Sequence, residues 1–253
     1  MAVDLGTRIV RGELQPDERL PTESELGDAF GVSRSVIRDA VRTLSAYGLV
    51  EVRQGVGMLV TNPSATAAYS GALIIQLMRS ELTVADVFEA RAMIELELAE
   101  LAATRSTESD WEVLEKNLDD FIQAIEERDW HRAEICHLAF HVSLLRATQL
   151  PALEILLKPL QEIILLSSLP PSMKGKKLAE VWNLEDAQRH RPILDAVRAR
   201  DEAGARTAMM NHFRLDASPR HAERTAARFR DSQFVQTMFA QILRSESPTG
   251  NGS

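Results

Sequence analysis

Apolar residues recur at three- and four-residue spacing along nearly all of the chain after residue 83. This spacing is typical of amphipathic helices. It predicts helices at about 83–103, 107–129, 129–148, 151–169, 180–200 and 202–217, with a further helical stretch to about Leu243. Since no segment in this region alternates like a strand, we expect an antiparallel helical bundle.

The beginning of the chain has a different pattern. Thr22 is followed three residues later by Glu25, which is the signature of a capping box at a helix start. Gly31 then offers a residue that tolerates positive φ after the helix, and Ser33 is placed to cap a second helix that reaches about Ala46. Two helices joined by so short a turn predict a helix-turn-helix.

Two short β-type runs follow this second helix, and Gly55 and Gly57 lie between them. They predict a β-hairpin wing with Arg53 at its base. The expected fold is therefore mainly α, a winged helix-turn-helix followed by an all-α antiparallel bundle. We assign 1–61 to the winged helix, 62–82 to a linker and connecting helix, 83–244 to the bundle and 245–253 to a disordered tail.

Composition limits the environment of the protein. The 253 residues carry a net charge of -8, so the composition gives no sign of a generally basic, nucleic-acid-binding surface. Cys136 is the only cysteine, which excludes an intrachain disulfide and indicates a reducing, cytoplasmic setting. No apolar run approaches the roughly 20 residues of a membrane span, and we expect no membrane partner.

A local positive patch stands out against this acidic background. Arg34, Arg38 and Arg42 follow one another at four-residue intervals and share one side of the second predicted helix. Such a helix fits the major groove, where guanidinium groups bind guanine or phosphate. The alternative is a solvated face whose arginines pair with Asp39 or Glu51. The helix-turn-helix and the glycine wing on either side favour DNA binding.

The first region resembles the winged-helix domain of the GntR family of bacterial transcription regulators. The shared residues are Ile9, Gly12, Leu14, Pro16, Leu20–Glu23, Val32–Arg34, Arg38 and Gly48–Val50, while Ser24 stands where many members carry an arginine. The resemblance implies that Arg34 and Arg38 contact DNA, whereas Arg42 meets phosphate or solvent. The full expected set is Thr22, Ser24, Ser33, Arg34, Ser35, Arg38, Arg42, Arg53, Gly55 and Gly57.

Four histidines in the second region have a suggestive spacing. His137 and His141 are four residues apart and therefore share one helix face, while His190 and His212 belong to two later predicted helices. Four converging imidazoles suit Zn²⁺, Ni²⁺, Cu²⁺ or Fe²⁺ better than Mg²⁺ or Ca²⁺. For each histidine alone, the alternative is a surface or hydrogen-bonded core residue.

The second region also resembles the FCD effector domain of the FadR subfamily of GntR regulators. The resemblance rests on residues 91–95, 102–103, 137–141, 190–196 and 212–213. It implies a divalent metal held by His137, His141, His190 and His212, with His137 standing where the family usually has a carboxylate. Zn²⁺ is favoured, with Ni²⁺, Mn²⁺ or Fe²⁺ also considered. Arg91 is the expected carboxylate-binding residue, unless it only forms a salt bridge with Glu95.

These features together predict a transcription regulator and not an enzyme. We expect a homodimer that binds a pseudo-palindromic operator in double-stranded DNA and responds to a small organic acid. The commoner mode of the family favours a repressor. Two alternatives stay open at this point: a metal-dependent enzyme with a histidine-lined bundle, and a regulator with a metal-free effector pocket.

Overall fold

The computed structural model describes residues 1–62, 67–157, 184–215 and 228–231, together with residues 160 and 236. The chain forms two compact units, Met1–Ala72 and Leu73–Ser253. The division falls within the segment 62–82, which the sequence analysis assigns to a linker and connecting helix. Each unit is described separately below.

The N-terminal unit begins with three helices, α1 (Ala2–Val10), α2 (Glu23–Phe30) and α3 (Arg34–Ala46). The predicted capping box is present, because the Thr22 hydroxyl accepts from the Glu25 amide and the Glu25 carboxylate accepts from the Thr22 amide. Gly31 ends α2 with φ 63°, a left-handed conformation that glycine adopts without strain. The tight turn of the predicted helix-turn-helix is therefore present.

A two-stranded antiparallel hairpin follows, formed by β1 (Val50–Arg53) and β2 (Gly57–Val60). Val50 pairs with Val60 at the open end, and Arg53 pairs with Gly57 next to the turn. The prediction that Arg53 lies at the base of the wing is therefore wrong. The β1 run reaches three residues beyond Val50 before the chain turns, which carries Arg53 to the tip.

Apolar side chains from all of these elements share one core. The helices contribute residues at helical spacing, and the hairpin contributes the face of alternate residues that points inward. The buried members are Leu5, Leu14, Leu20, Leu26, Ile37, Val41, Leu44, Val50, Met58 and Val60. Because α3 buries its Ile37–Val41–Leu44 stripe in this core, its opposite side faces solvent.

The C-terminal unit is helical. Its helices are α4 (Ala67–Arg79), α5 (Val84–Arg105), α6 (Glu108–Glu126), α7 (Trp130–Ala147), α8 (Leu184–Gln188), α9 (Arg191–Arg198) and α10 (Glu202–Leu215). Helix α4 begins in the N-terminal unit and continues into this one. Residues 151–157 are also helical, and Phe229–Asp231 form a 3₁₀ turn. The predicted fold class, mainly α with a hairpin after the helix-turn-helix, is confirmed.

Packing within the bundle centres on α7, which lies against both α6 and α5, while α10 packs on α5 and α9. A three-residue connection joins α6 to α7, so these two helices run antiparallel. Their buried faces form one apolar cluster built from Ala99, Ala102, Leu114, Leu118, Phe140, Leu144, Ile193, Leu194, Val197 and Met209, among others. None of the helices in the described part of the chain is long and apolar enough to cross a membrane.

One predicted helix is interrupted. The apolar spacing predicts a continuous helix at about 180–200, but the structure ends α8 at Gln188 and begins α9 at Arg191. Pro192 occupies the first turn of α9, where its missing amide hydrogen is tolerated and its fixed φ favours a new helix start. His190 is therefore the N-cap residue of α9 and does not lie within a helix.

Several predictions fall outside the described residues. These are the start of the helix at about 180, the end of the helix predicted to reach residue 169, the helical stretch between 232 and 243, and the tail 245–253. The described residues near the end of the chain include Arg228, whose backbone pairs with Thr83 as an isolated β-bridge.

The cap of α6 offers a direct check of this architecture. Thr107 accepts from the Asp110 amide and its own amide donates to the Asp110 carboxylate, so Thr107→Ala removes a side-chain cap. We expect a loss of about 1 kcal/mol in unfolding free energy, measured by urea denaturation. Thr104→Ala is the matched control, because Thr104 is an exposed threonine whose hydroxyl only donates to a carbonyl within α5. Equal losses in the two variants would contradict the capping role.

Candidate metal centre and DNA-binding surface

The four predicted histidines come together inside the bundle. His137 and His141 lie one turn apart on α7, His190 lies at the start of α9, and His212 lies on α10. One ring nitrogen of each lies within 4.8 Å of the corresponding nitrogens of the other three, and all four side chains are buried. His190 lies at the break between α8 and α9, and its ring nitrogen Nδ1 donates back to carbonyl groups of α8. The other ring nitrogen, Nε2, therefore faces His141 of α7.

Hydrogen bonds fix the tautomers of two of these rings. His141 Nδ1 lies 2.9 Å from Glu95 Oε2, so the ring proton belongs on Nδ1 and donates to the carboxylate. His190 Nδ1 lies 3.0 Å from the Asp186 carbonyl oxygen, which can only accept. In both neutral rings the other nitrogen, Nε2, therefore carries a lone pair.

Those two lone pairs face each other across 3.3 Å, and His137 Nε2 lies 3.2 Å from His141 Nε2. Two acceptors at this distance repel each other, whereas a cation bound to both nitrogens makes the contact favourable. Zinc binds histidine nitrogen at about 2.0–2.1 Å, which places adjacent ligands of a tetrahedral site about 3.3–3.4 Å apart. These two nitrogen–nitrogen distances therefore match those of a bound divalent transition metal, and imidazole donors suit such an ion.

Burial keeps the cluster in the form that binds metal. Desolvation lowers the pKa of His190 to about 3, with a contribution from the nearby His141. Burial, followed by the neighbouring imidazoles, also holds the pKa of His137 and His212 well below its usual range. At neutral pH these rings are uncharged, which is the state that coordinates a metal ion.

Glu95 connects the cluster to Arg91, the residue predicted to bind a carboxylate. Arg91 Nε donates to Glu95 Oε1 at 3.1 Å, and both side chains are almost fully buried. Burial opposes ionisation of Glu95, but the attraction of His141 and Arg91 outweighs it and lowers the pKa of the carboxyl. The salt bridge that the sequence left as an alternative for Arg91 is therefore present.

This salt bridge does not use all of the Arg91 guanidinium. Arg91 Nη2 is buried and has no hydrogen-bond partner in the part of the chain that the structure describes. The guanidinium carbon lies 5.1 Å from the Phe213 ring centroid and 5.8 Å from that of Phe88. A buried guanidinium nitrogen without a partner is costly, so this arrangement favours an anionic acceptor from outside the described residues. His212 Nδ1 is similarly buried without such a partner.

The contact between Glu95 and the histidine cluster was not predicted from the sequence. The sequence indicates Glu95 only as a partner for Arg91, four residues earlier on the same helix, whereas the structure shows its second oxygen on His141 of α7. The spacing to Arg91 is visible in the sequence, but the contact with His141 joins residues 46 positions apart and depends on how α5 packs against α7.

The residues predicted to contact DNA belong to α2, α3, the N-caps of these two helices and the hairpin. All of them are exposed except Gly57, which is half-buried. Arg34, Arg38 and Arg42 form an exposed arginine ridge along α3, and each contacts a neighbouring side chain. Arg34 Nη2 donates to Ser24 Oγ at 3.3 Å. Arg38 and Arg42 form ion pairs with Glu23 and Asp39 at 3.0 and 3.3 Å. The pairing of Arg42 with Asp39 was the alternative that the sequence left open.

These pairings do not prevent DNA binding. Exposed ion pairs are worth about 0–1 kcal/mol, whereas a bidentate arginine–guanine contact discriminates by about 1–3 kcal/mol. The guanidinium groups can therefore exchange a carboxylate for a base or phosphate at small cost. The ridge is held in place by its neighbours and stays available for DNA.

The remaining predicted contacts differ in detail from the expectation. Ser33 occupies the N-cap position of α3, but it makes no side-chain cap bond, because its hydroxyl is paired at 2.8 Å with that of Ser35. Arg53, at the hairpin tip, forms an ion pair with Glu51, which the sequence analysis considered only as a partner for the arginines of α3. Gly55 lies in the turn with φ 75°.

Arg19 was not predicted from the sequence as part of this surface, but it is exposed and its backbone bridges to Leu59 of β2. A Cβ atom at Gly57 would lie 3.3 Å from Arg19 Nε, so the glycine lets this side chain lie over the hairpin. The segment before α2 contains no strand-like run that would have indicated this pairing.

The N-terminal unit is a winged helix with exposed arginines, and the helical unit contains a buried polar cluster. This combination is typical of DNA-binding regulators with a helical effector domain. The family described as "Bacterial regulatory proteins, gntR family" matches residues 2–60, and the FCD domain family matches residues 86–215. The chain belongs to the GntR family of transcription regulators, and its second unit carries an FCD domain.

Curated relatives agree with this assignment. The HTH-type transcriptional regulator LutR of Bacillus subtilis is 31% identical over 81% of this chain and 92% of its own length. The Galactonate operon transcriptional repressor of Escherichia coli is 28% identical over 83% and 90%, and the Exu regulon transcriptional regulator of Escherichia coli is 30% identical over 84% and 80%. The prediction that the chain is a regulator and not an enzyme is confirmed by these matches.

A solved structure gives the same result. Streptococcus agalactiae GntR superposes with a TM-score of 0.61 at 28% identity, covering 85% of this chain and 96% of that one. The likeness therefore extends through most of both chains.

Acid should destabilise the metal-free protein. Because the folded-state pKa values of the clustered histidines are lowered, the unfolded chain binds more protons once the pH falls below about 6.5. The contribution of these histidines to the free energy of unfolding is thus fully present above about pH 6.5. It is lost as the pH falls toward the pKa values that the histidines have in the folded protein. The loss is about 1.4 kcal/mol per pH unit for each histidine that stays neutral.

We expect a lower urea midpoint for unfolding of metal-free protein at pH 5.5 than at pH 7.5. The exposed His131, on the same helix as His137, supplies the control, since His131→Ala should leave the difference between the two pH values unchanged. His190→Gln should reduce that difference. A midpoint independent of pH in the wild type would contradict the buried, neutral state of the cluster.

Proposed function

We propose that this protein is a repressor whose affinity for a pseudo-palindromic operator is set by a small organic acid bound at a metal ion in the helical unit. The observation that carries the proposal is the buried cluster of four histidines, joined through Glu95 to an arginine whose Nη2 has no partner among the described residues. A metal ion and an organic acid would together satisfy these groups.

The metal ligands in this proposal are His137, His141, His190 and His212. Imidazole nitrogen suits zinc, nickel and iron, whereas manganese shares the preference of magnesium and calcium for oxygen ligands. We therefore favour Zn²⁺, and Ni²⁺ or Fe²⁺ over Mn²⁺. When bound, such an ion supplies a Lewis acid that attracts carboxylate oxygen. Glu95 holds His141 in the tautomer that directs Nε2 at the ion, a role that strengthens metal binding in other histidine sites.

Arg91 is the second attachment point for the acid. Its charge lowers the pKa of all four histidines, which places it in the same buried neighbourhood. Glu95 fixes the guanidinium through Nε, so Nη2 is preorganised to donate to an incoming carboxylate. Arg91 is buried with the Phe88 and Phe213 rings beside it, and such low-dielectric surroundings strengthen the contact.

One relative supports the regulatory part of the proposal by its name. It is the Galactonate operon transcriptional repressor of Escherichia coli, and galactonate is an organic acid. The name agrees with a repressor of genes connected with an organic acid.

The operator is read by the exposed face of the N-terminal unit. Arg34 and Arg38 lie near the start of α3 and would contact base edges, while Arg42 is placed for phosphate. Thr22, Ser24, Ser33 and Ser35 offer hydroxyls at the helix starts, and the hairpin brings Arg53, Gly55 and Gly57 to the duplex. Arg19, on the edge of the hairpin, joins this set.

Two copies of the chain would bind the two half-sites of a pseudo-palindrome. An acid that binds one arrangement of the dimer more tightly than another shifts the population between the two arrangements. Reciprocity then requires that operator DNA and the acid alter each other's affinity by the same factor. This linkage is what makes the protein a ligand-controlled repressor in cytoplasmic conditions.

Replacing either ridge arginine tests the DNA-binding surface. We expect Arg34→Ala and Arg38→Ala each to weaken binding by about 10- to 100-fold, the loss of one specific arginine contact. The measurement is fluorescence anisotropy with a duplex selected by the wild type from a random-sequence pool. Arg105→Ala removes an exposed arginine from the C-terminal unit and serves as the matched control for charge. Metal content should be unchanged in all three variants.

The proposal for this surface is wrong if the two ridge variants bind the selected duplex as tightly as the control does. Arg42→Ala should lose less affinity than either. Its loss should also be similar for selected and random duplexes, because a phosphate contact carries no sequence information.

A further inference from the structure

Helix α1 carries apolar side chains on two sides, and one of these sides packs into the core of the N-terminal unit. Leu5 and Ile9 belong to that core. Val3 and Val10 lie on another side of the helix, where they are 83% and 75% exposed. Val3, Thr7 and Val10 follow one another at four- and three-residue spacing, so they form one row along the helix. We call this row the α1 seam.

The α1 seam borders a groove between α1 and the end of α3. Tyr47, the C-cap residue of α3, is 76% exposed and lines the groove together with the seam, and the groove has a volume of about 410 Å³. The Thr7 hydroxyl donates to the Val3 carbonyl at 2.6 Å, so covering the seam leaves this donor satisfied. An exposed apolar groove of this kind is typical of an interaction site.

The charged residues beside the seam indicate which molecule fits it. Asp4 and Arg11 are exposed, and at 100° per residue both lie about 80–100° around the helix from Val3, on the same side of the seam. Asp4 is in the first turn of α1, and Arg11 is its C-cap residue. A helix face with an acid at one end and a base at the other is complementary to a copy of itself that runs in the opposite direction.

A second, antiparallel copy of α1 pairs both the apolar and the charged groups of this face. When the two-fold axis passes beside Thr7, Val3 lies next to Val10 of the second copy. Asp4 then lies next to Arg11 of the second copy, because these residues are three positions before and four positions after Thr7. Two-fold symmetry repeats each contact, so the arrangement contains two valine contacts and two ion pairs.

We propose that the winged-helix units of two copies of this chain associate through their α1 seams, in antiparallel orientation. The inference goes beyond the proposed function, which requires two copies but assigns no contact surface to their N-terminal units. It does not depend on the histidine cluster or on the organic acid.

This contact leaves the arginine ridge uncovered. Thr43 and Tyr47 are residues at the end of α3 that line the groove. At 100° per residue they lie about 140° and 180° around the helix axis from Arg38, on the side of α3 away from the ridge. Self-association and DNA binding therefore use different side chains of the same helix.

Disulfide cross-linking tests the position of the two-fold axis. Thr7→Cys is made in full-length protein that also carries Cys136→Ser, which removes the only natural cysteine. Diamide then oxidises the two Thr7→Cys thiols to one disulfide and is itself reduced to the hydrazine. We expect the covalent dimer to form about 10-fold faster than with Arg8→Cys in the same background, because proximity raises the effective thiol concentration. Arg8 is the matched control, since it is exposed on the same helix but lies about 100° around it from Thr7.

Charge reversal tests whether the second copy is the molecule that occupies the groove. In the Thr7→Cys protein, Asp4→Arg alone or Arg11→Asp alone places like charges opposite each other at both ends of the contact. Each should slow cross-linking by about 10-fold, and the double reversal should restore the rate. Arg34→Ala, on the ridge, should cross-link at the rate of the parent protein. A different partner protein would not be matched again by the double reversal.

Equal cross-linking rates for Thr7→Cys and Arg8→Cys would overturn the proposal. If gel filtration still showed a dimer, the copies would associate through another surface and the proposed function would be unaffected. A double reversal that stayed as slow as the single variants would also overturn it. The melting temperature of each variant checks its folding. If Cys136→Ser lowers that temperature, Cys136 is kept and the cross-linked peptides are identified by mass spectrometry.

Discussion

The hydrogen bond between Glu95 and His141 is the constraint on which the site depends. It joins α5 to α7 inside the bundle, and its two partners are fully buried. The carboxylate fixes the proton of His141 on Nδ1, which directs the Nε2 lone pair at the other histidines. The same carboxylate holds Arg91 through its second oxygen. One side chain thus orients both His141, a proposed metal ligand, and Arg91, the group proposed to bind the acid.

Without a bound ligand, this arrangement lowers the stability of the folded protein. Facing lone pairs, buried neutral imidazoles and a guanidinium nitrogen without a described partner all oppose stability. A packed apolar cluster of alanine, leucine and phenylalanine surrounds them and holds the helices in register. Unfavourable local interactions within a well-packed bundle are typical of a binding site. A ligand that relieves these interactions binds one arrangement of the bundle more tightly and can change which arrangement is populated.

Features specified by neighbouring residues could be predicted from the sequence, and features that depend on packing could not. The capping boxes at Thr22, Thr83 and Thr107 each involve a residue three positions away, and all three are present. The shared face of His137 and His141 follows from helical geometry. The contact of Glu95 with His141, the pairing of Arg19 with β2 and the position of Arg53 at the hairpin tip required knowledge of tertiary pairing or strand register. The break at His190 lies between these cases, since Pro192 signals it but apolar spacing continues through it.

Zinc binding tests the claim that the four histidines form a metal site. Protein stripped with a chelator is dialysed against Zn²⁺, and the bound metal is determined by elemental analysis for wild type, His141→Ala and His131→Ala. We expect about one tightly held ion per chain in the wild type and in His131→Ala, and its loss in His141→Ala. Equal zinc in all three proteins, or none in the wild type, would contradict the claim.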